Sequence, residues 1–425
     1  MSGFRVVTPL SAPFDAVVRP PGSKSQTIRA LVVASLAVGE SRLEGALESD
    51  DTRFAREALR ALGAEIDAGA DPWTVRGAEG RLRLPQRDLD AGASGLTGRA
   101  LIAVAPLVTG STTIVGRDRL PERPMSGLMN ALADLGVEAL ATDGHLPVTV
   151  QGRGKLPGGK VGVASGETTQ FATALLLAAP AASGELTIIP TGLHGSQGYL
   201  DITIETMRAF GARVDLSDRE YTVVPTGYTG SAVVVEPDAS AAVYPMVAAA
   251  ITRSRVRIQG LGTQSLQPDL GIAGILQLMG CEVEQTVDAT TVDARGRRLA
   301  SIDIDLSGSP DGALALAIAA LFADGPSRLR GLGSLRFKES DRLGALANEI
   351  TRIGAGAEIE GSDLVVTPTA IRPGRVETYG DHRVAMSFAL VGLRVPGIEI
   401  ADHEVVAKTW PGYWDMLESL SQPGA

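Results

Sequence analysis

The stretch Ala30–Gly45, ALVVASLAVGESRLEG, combines an Ala/Leu/Val run, a glycine turn and a short segment of alternating apolar residues. The same plan recurs at Ala100–Gly116 (ALIAVAPLVTGSTTIVG), Ala174–Gly192 (ALLLAAPAASGELTIIPTG) and Ala242–Gly260 (AVYPMVAAAITRSRVRIQG). It returns again at Ala313–Gly331 (ALALAIAALFADGPSRLRG) and Ser387–Asp402 (SFALVGLRVPGIEIAD). The turn residues Gly39, Gly110, Gly184, Ser254, Gly325 and Gly397 follow one another at intervals of 70 to 74 residues. Six copies of about 72 residues consume the chain of 425. Self-similarity at a fixed period marks a fold assembled from one repeated unit.

A second element keeps the same period. Segments with apolar residues three and four apart, each ending in glycine, occur at Ala58–Ile66, Ala131–Ala139, Thr206–Val214, Ile275–Val283 and Glu349–Ile359. That spacing with a terminal glycine predicts a helix closed by a left-handed cap. Trp414–Leu420 is a truncated sixth copy. Each unit therefore reads helix, strand, helix, strand, with a further short strand. The first helix is apolar on all sides and is expected inside a domain; the second has one apolar face and is expected outside. Buried helices need a closed core, so the prediction is an α/β protein of two domains with three units each, not a solenoid.

Composition narrows the function. Apolar residues make up 44% and charged residues 21%, values of a folded globular protein. No apolar run reaches the roughly 18 residues of a membrane span, and Met1–Arg5 lacks the apolar block of a signal peptide, so a cytosolic protein is expected. A net charge of −10 argues against nucleic acid as partner. Cys281 is the single cysteine, and the four histidines (His145, His194, His382, His403) have no metal-ligand spacing. No disulfide, metal or cofactor is expected.

The cations are unevenly chosen. Of 39 basic residues only five are lysines, and Lys24, Lys338 and Lys408 fall at predicted helix starts. Lys155 and Lys160 lie in a Gly-rich stretch and read as surface residues. The segments leading into the apolar helices offer Ser, Thr, Asp or Gly as caps, among them Ser23, Ser94, Asp238, Ser309-Pro310-Asp311-Gly312 and Asp381. Capping does not explain Lys24, Arg29, Arg99 and Arg383, because the helix dipole disfavours a cation at that end. An anion held between cation and backbone N–H groups does explain them. An acidic chain with cations gathered at loop ends is suited to a multiply anionic small molecule.

Pro20–Arg29 (PPGSKSQTIR) and Lys338-Glu339-Ser340-Asp341-Arg342, with Asp381-His382-Arg383 and Ala407-Lys408-Thr409, resemble the signatures of the 3-phosphoshikimate 1-carboxyvinyltransferase family, the enolpyruvyl-shikimate-phosphate synthases. The likeness runs from about Val17 to Met416. It implies a two-domain inside-out α/β barrel of six βαβαββ repeats. Residues 20–236 would form the N-terminal globe and residues 1–19 with 237–425 the C-terminal one, with the active site in the interdomain cleft. It also implies transfer of the enolpyruvyl group of phosphoenolpyruvate to the 5-hydroxyl of shikimate 3-phosphate, with release of phosphate.

Matched motif by motif, the resemblance assigns shikimate 3-phosphate to Lys24, Ser25, Arg29, Thr168, Thr169, Gln170, Ser196, Tyr199, Asp311, Ser334 and Lys338. Phosphoenolpyruvate falls to Lys24, Gly95, Arg123, Gln170, Arg342, Arg383 and Lys408. Asp311 would be the base for the hydroxyl, Glu339 the acid near the methylene, and Lys24 the cation bridging both ligands. The implied partners are these two substrates alone, for a monomer acting without nucleic acid or membrane.

Several positions depart from the family pattern. The loop Gly92-Ala93-Ser94-Gly95-Leu96-Thr97-Gly98-Arg99 lacks the usual Asn, Leu96 replaces Thr, and Ala100 stands where Pro is common. Thr168-Thr169 replaces Ser-Ser, Ser334 replaces Asn, and Gly198 replaces Pro. A paralogue with another anionic acceptor, a UDP-aminosugar transferase, and a non-catalytic anion-binding protein are the alternatives. Cys281, in the wrong half of the chain for the sister family's loop cysteine, reads as a packing residue. Glyphosate inhibits the family at the phosphoenolpyruvate site, and the loop changes predict lower sensitivity here.

Overall fold

A computed structural model of the chain describes residues 3–79, 81–192 and 197–421. Its helices keep the period: α1 (Lys24–Leu36), α2 (Asp50–Ala61), α3 (Gly95–Val104), α4 (Ser126–Asp134), α5 (Gln170–Ala178), α6 (Gly198–Ala209), α7 (Ala239–Thr252), α8 (Ile272–Leu278), α9 (Ala313–Ala320), α10 (Arg342–Arg352), α11 (His382–Gly392) and α12 (Tyr413–Ser419). The odd-numbered helices are buried along most of their length; α9 is buried at every residue. The even-numbered ones bury one face, as α2 does with Asp51, Ala55, Ala58 and Leu59. Truncating a side chain such as Leu316, which is fully buried, would cost about 2–5 kcal/mol in lost burial and residual cavity.

The glycines that end the amphipathic helices are there for conformation. Gly63, Gly136, Gly211, Gly280 and Gly354 have φ of +110°, +76°, +84°, +106° and +92°, a region strained for any side chain. The turns after the apolar helices are less uniform than their spacing suggested. Gly39, Gly110 and Gly397 are left-handed, but in the fourth copy that role falls to Arg253 (φ +56°), one residue before Ser254. Equal spacing therefore does not mean equal backbone geometry.

The chain forms two compact units, Gly22–Val235 (the central unit) and Met1–Pro21 with Glu236–Ala425 (the terminal unit). Each has its own hydrophobic core built on three apolar helices. Among the described residues six small sheets cover those helices, with alternating strand residues facing inward, as in Glu40–Glu44.

A typical sheet orders its strands Gly159–Ala164, Leu186–Thr191, Glu220–Val224, Arg213–Ser217, the first pair parallel and the others antiparallel. In two sheets the first strand is exchanged. Asp15–Val18 precedes α1 but pairs with Arg255–Gln259, and Ala232–Val234 precedes α7 but pairs with Glu40–Glu44. Among the described residues the sixth copy forms no hairpin of its own, and Phe4–Val6 pairs antiparallel with Ile398–Ala401.

Candidate active site

In the central unit the assigned residues gather at the N-terminal ends of α1, α3, α5 and α6. Ser23 caps α1, and Lys24, its first residue, places Nζ 2.9 Å from Oδ2 of the buried Asp51. Arg29, one turn on, is fully enclosed. Its Nε donates to Oγ1 of Thr203 at 2.8 Å, Nη1 to the Ser25 carbonyl at 3.0 Å and Nη2 to the Tyr199 carbonyl at 3.2 Å. None of these acceptors is charged, and burial pulls Arg29 down to about 10.

Arg99 ties α3 to α5. It donates to Oε1 of Gln170 at 2.5 Å and to the Pro124 carbonyl at 3.0 Å. Beside it lies Arg123, 6% exposed, whose Nε has no hydrogen-bond partner and which no carboxylate pairs among the described residues. A Cβ on Gly95 would come within 2.7 Å of Nη1 of Arg99 and 2.8 Å of Nη1 of Arg123. The glycine keeps this corner open. Thr168 accepts from the Gln170 N–H at 3.2 Å through Oγ1, and Thr169 is buried.

The terminal unit holds a network centred on Arg342, 1% exposed and the first residue of α10. It meets Asp311 Oδ1 at 2.8 Å, Glu339 Oε2 at 2.8 Å and Asp381 Oδ2 at 2.7 Å. Asp381 caps α11 by accepting the Arg383 N–H at 2.9 Å and also accepts from Ser340 Oγ at 3.0 Å. Asp311 takes two further cations, Arg383 at 3.2 Å and Lys338 at 3.5 Å, while Lys408 stands 3.8 Å from Glu339. Burial pushes Asp311 up, but Arg383, Lys338 and Arg342 outweigh it and hold the carboxyl far below the ordinary range.

The two groups differ in electrostatic character. Among the described residues Arg29 donates to neutral oxygens and Arg123 meets no carboxylate, so positive charge is left over there for an anion. Around Arg342 cations and carboxylates alternate. That arrangement suits proton transfer, because each carboxylate lies within reach of groups that can respond to a change in its charge.

Some expectations are corrected. Ser309 and Asp311 do not cap α9, and Thr169, at the N-cap position of α5, makes no side-chain cap. Ala100, where Pro is common in the family, lies in the second turn of α3, which begins at Gly95 under a Ser94 cap. Ser196, with His194, lies outside the described residues. Ser334 is half-buried on a short 3-10 turn, Gly333–Phe337. Lys160 makes an exposed ion pair with Glu220, as a surface lysine would. Cys281 belongs to the terminal core, where burial pushes its thiol up to about 11.

Two residues escaped the sequence reading. Asp51 follows Ser49-Asp50 and reads as a helix-start acid, yet it is in phase with the buried Ala55 and Ala58 of α2 and with Leu62 just past its end. An acid on an apolar stripe is a legible signal for a buried ion pair. Asp269 has no such signal.

No described helix is long and apolar enough to cross a membrane, and no metal-binding cluster of His, Cys, Asp or Glu occurs among the described residues. The family profile of EPSP synthase (3-phosphoshikimate 1-carboxyvinyltransferase) matches residues 10–417. The chain is 39% identical over 422 residues to a 3-phosphoshikimate 1-carboxyvinyltransferase of Pseudomonas syringae pv. syringae, covering 97% of each protein. It is 37% identical to that of Methanoregula boonei, over 98% of this chain and 100% of the other. A solved EPSP synthase from Acinetobacter baumannii matches it with a TM-score of 0.83 at 26% identity, covering 99% of this chain and 98% of that one. With both halves of the chain matched at this length, the protein belongs to the EPSP synthase family of transferases.

Proposed function

We propose that this enzyme transfers the carboxyvinyl group of phosphoenolpyruvate to the 5-hydroxyl of shikimate 3-phosphate, releasing phosphate, in aromatic amino-acid biosynthesis. One observation carries the mechanism: the buried guanidinium of Arg342 holds Asp311 and Glu339, each at 2.8 Å. Two carboxylates on one cation, differing in their other partners, can divide the base and acid roles.

In this reading Lys24, Ser25, Arg29, Thr168, Thr169, Gln170, Ser196 and Tyr199 hold shikimate 3-phosphate, with Asp311, Ser334 and Lys338 completing its site. Phosphoenolpyruvate takes Lys24, Gly95, Arg123 and Gln170 together with Arg342, Arg383 and Lys408. The substrates are strongly anionic, and fixed cations offset their mutual repulsion.

The 5-hydroxyl oxygen bonds to C2 of phosphoenolpyruvate while its proton passes to Asp311, and C3 takes a proton from Glu339. Glu339 then takes a proton back from C3, the electrons of that C–H bond re-form the double bond, and phosphate leaves C2 with the electrons of the C–O bond and takes up the proton held by Asp311, so that both carboxyl groups return to their starting state. Lys24 bridges the anions with a compact ammonium. As substrate anions engage Arg383, Lys338 and Arg342, their pull on Asp311 weakens and its basicity rises toward that of an ordinary carboxylate.

The enzyme is read as a cytoplasmic monomer whose partners are its substrates. Phosphate release from phosphoenolpyruvate with shikimate 3-phosphate, measured beside a UDP-aminosugar, tests the assignment. Release with shikimate 3-phosphate alone is expected; release only with the aminosugar, or with neither, would overturn it.

A further inference from the structure

Asp269 belongs to a 3-10 turn, Pro268–Gly271, in the repeat that precedes that of Asp311, and is 2% exposed. Its Oδ1 accepts the Gly312 N–H at 3.3 Å and its Oδ2 accepts the Ser240 hydroxyl. The neighbouring Pro268 carbonyl accepts from Ser309 Oγ at 2.9 Å. Pro268 and Asp269 therefore grip the turn on both sides of Asp311, at Ser309 and at Gly312. We propose that Asp269 is a positioning residue: by capping α9 from outside, it leaves the Asp311 carboxylate with Arg342, Lys338 and Arg383, in place for the reaction, and not turned onto the helix end.

The start of α9 carries no cap from its own chain segment. Orphan N–H groups there need an acceptor, and aspartate is among the best caps. Asp311 directly precedes Gly312 and, without Asp269, is the carboxylate of this segment able to turn back onto them. That would draw it away from Arg342 and Arg383.

Gly312 fits the same account. A Cβ there would come within 2.8 Å of Cγ1 of Ile272, three residues beyond Asp269. The gripping segment is itself fixed. Gln267 donates to the Pro237 carbonyl at 2.7 Å and to Glu236 at 2.8 Å, and accepts the Ala239 N–H at 3.0 Å. Such support keeps a reacting group within about 0.5 Å of its productive place. The carboxylate is also costly to keep. Burial and the nearby Asp311 push it up to about 6, against Arg383 and the Ser240 hydroxyl. An apolar side chain would spare that cost, so packing alone does not account for an acid here.

The inference rests on Asp311 being the base, and the experiment separates the two. Steady-state kinetics, thermal melting and calorimetric binding of shikimate 3-phosphate are measured for Asp269→Ala, Asp269→Asn, Ser309→Ala and Asp311→Asn. Asp269→Ala is expected to lower kcat per folded enzyme by about 10- to 100-fold with KM for both substrates nearly unchanged. Asp269→Asn keeps an acceptor for Gly312 and should recover most of the loss. Ser309→Ala should cost about 3- to 10-fold.

A role confined to stability would change the melting temperature and the yield, not kcat per folded site. Native kcat in Asp269→Ala or Ser309→Ala, or an Asn variant no better than Ala, would overturn the proposal. If Asp269→Ala does not fold, Ser309→Ala and Asp269→Asn decide it: native kcat in Ser309→Ala, or a loss of 10-fold or more in the Asn variant, overturns it. Native kcat in Asp311→Asn would instead overturn the base assignment itself.

Discussion

Gly95 and Arg123 are in a contact that leaves no room for a side chain unless the arginine moves: a Cβ at position 95 would stand 2.8 Å from the Arg123 Nη1. The atoms it meets are the far ends of two arginines, so Gly95→Ala should fold normally while displacing both guanidiniums by tenths of an ångström. KM for phosphoenolpyruvate should rise about 10-fold, as one of several charge-assisted contacts is loosened, with KM for shikimate 3-phosphate nearly unchanged. Equal effects on both substrates would show that this corner is not the phosphoenolpyruvate site.

The missing partner of Arg123 has a thermodynamic consequence. A buried cation without a counter-ion destabilises the folded state, so Arg123→Met should gain about 1–2 kcal/mol while losing turnover. Inorganic phosphate should raise the melting temperature of the native enzyme more than that of the variant. Identical phosphate shifts would mean that the anion is held elsewhere.

Lys24 and Lys155 offer a paired comparison. Lys24 sits 2.9 Å from the buried Asp51, and Lys24→Met should lower kcat by about 10³-fold or more, whereas Lys155→Met should leave it nearly native. Lys24→Arg should remain poor, since the wider guanidinium does not replace a compact donor. Similar losses at both positions would undo the sorting of the lysines.

The loop around Gly95 bears on glyphosate. Leu96 is buried in the central core, and Thr97 donates to Ser94 Oγ at 2.9 Å, so changes here act on Gly95 through the start of α3. Glyphosate is longer than phosphoenolpyruvate, and a slight narrowing harms the longer molecule more. Restoring Asn, Ala, Thr, Ala and Pro at positions 93, 94, 96, 97 and 100 should lower the ratio of glyphosate inhibition constant to phosphoenolpyruvate KM. An unchanged ratio removes the loop from the explanation.

Asp269 makes a prediction about pH. Its folded value of about 6 lies above the ordinary 3.8, so between those values the folded state binds more protons than the unfolded one. Stability contributed by this group then falls as pH rises through the window. The cost is absent below 3.8 and complete above about 6. The stability difference between Asp269→Asn and the native enzyme should therefore move in favour of the variant from about pH 4 to about pH 7. Denaturant titrations across that range check it, and a flat or opposite trend would refute the assigned shift.

Much of this protein is written in local patterns. Apolar runs without a polar face require burial, and a helix ending in glycine requires a left-handed cap; both depend on neighbours within a few residues. The period of about 72 residues, the six buried helices and the outer position of the amphipathic ones therefore follow from the chain read alone. Dense signatures such as Lys338–Arg342 were equally legible, because five informative residues stand side by side.

What adjacency does not carry, only the tertiary structure decided. The exchange of Asp15–Val18 and Ala232–Val234 between sheets pairs strands some 190 to 240 residues apart, and either strand would have satisfied the alternation of the sheet it left. The partners of Lys24, Arg342 and Asp311 come from other repeats or other turns. Asp269 reaches Gly312 across 43 residues. A charge or a cap is defined by the atoms around it, and those atoms are assembled by packing, not by sequence order.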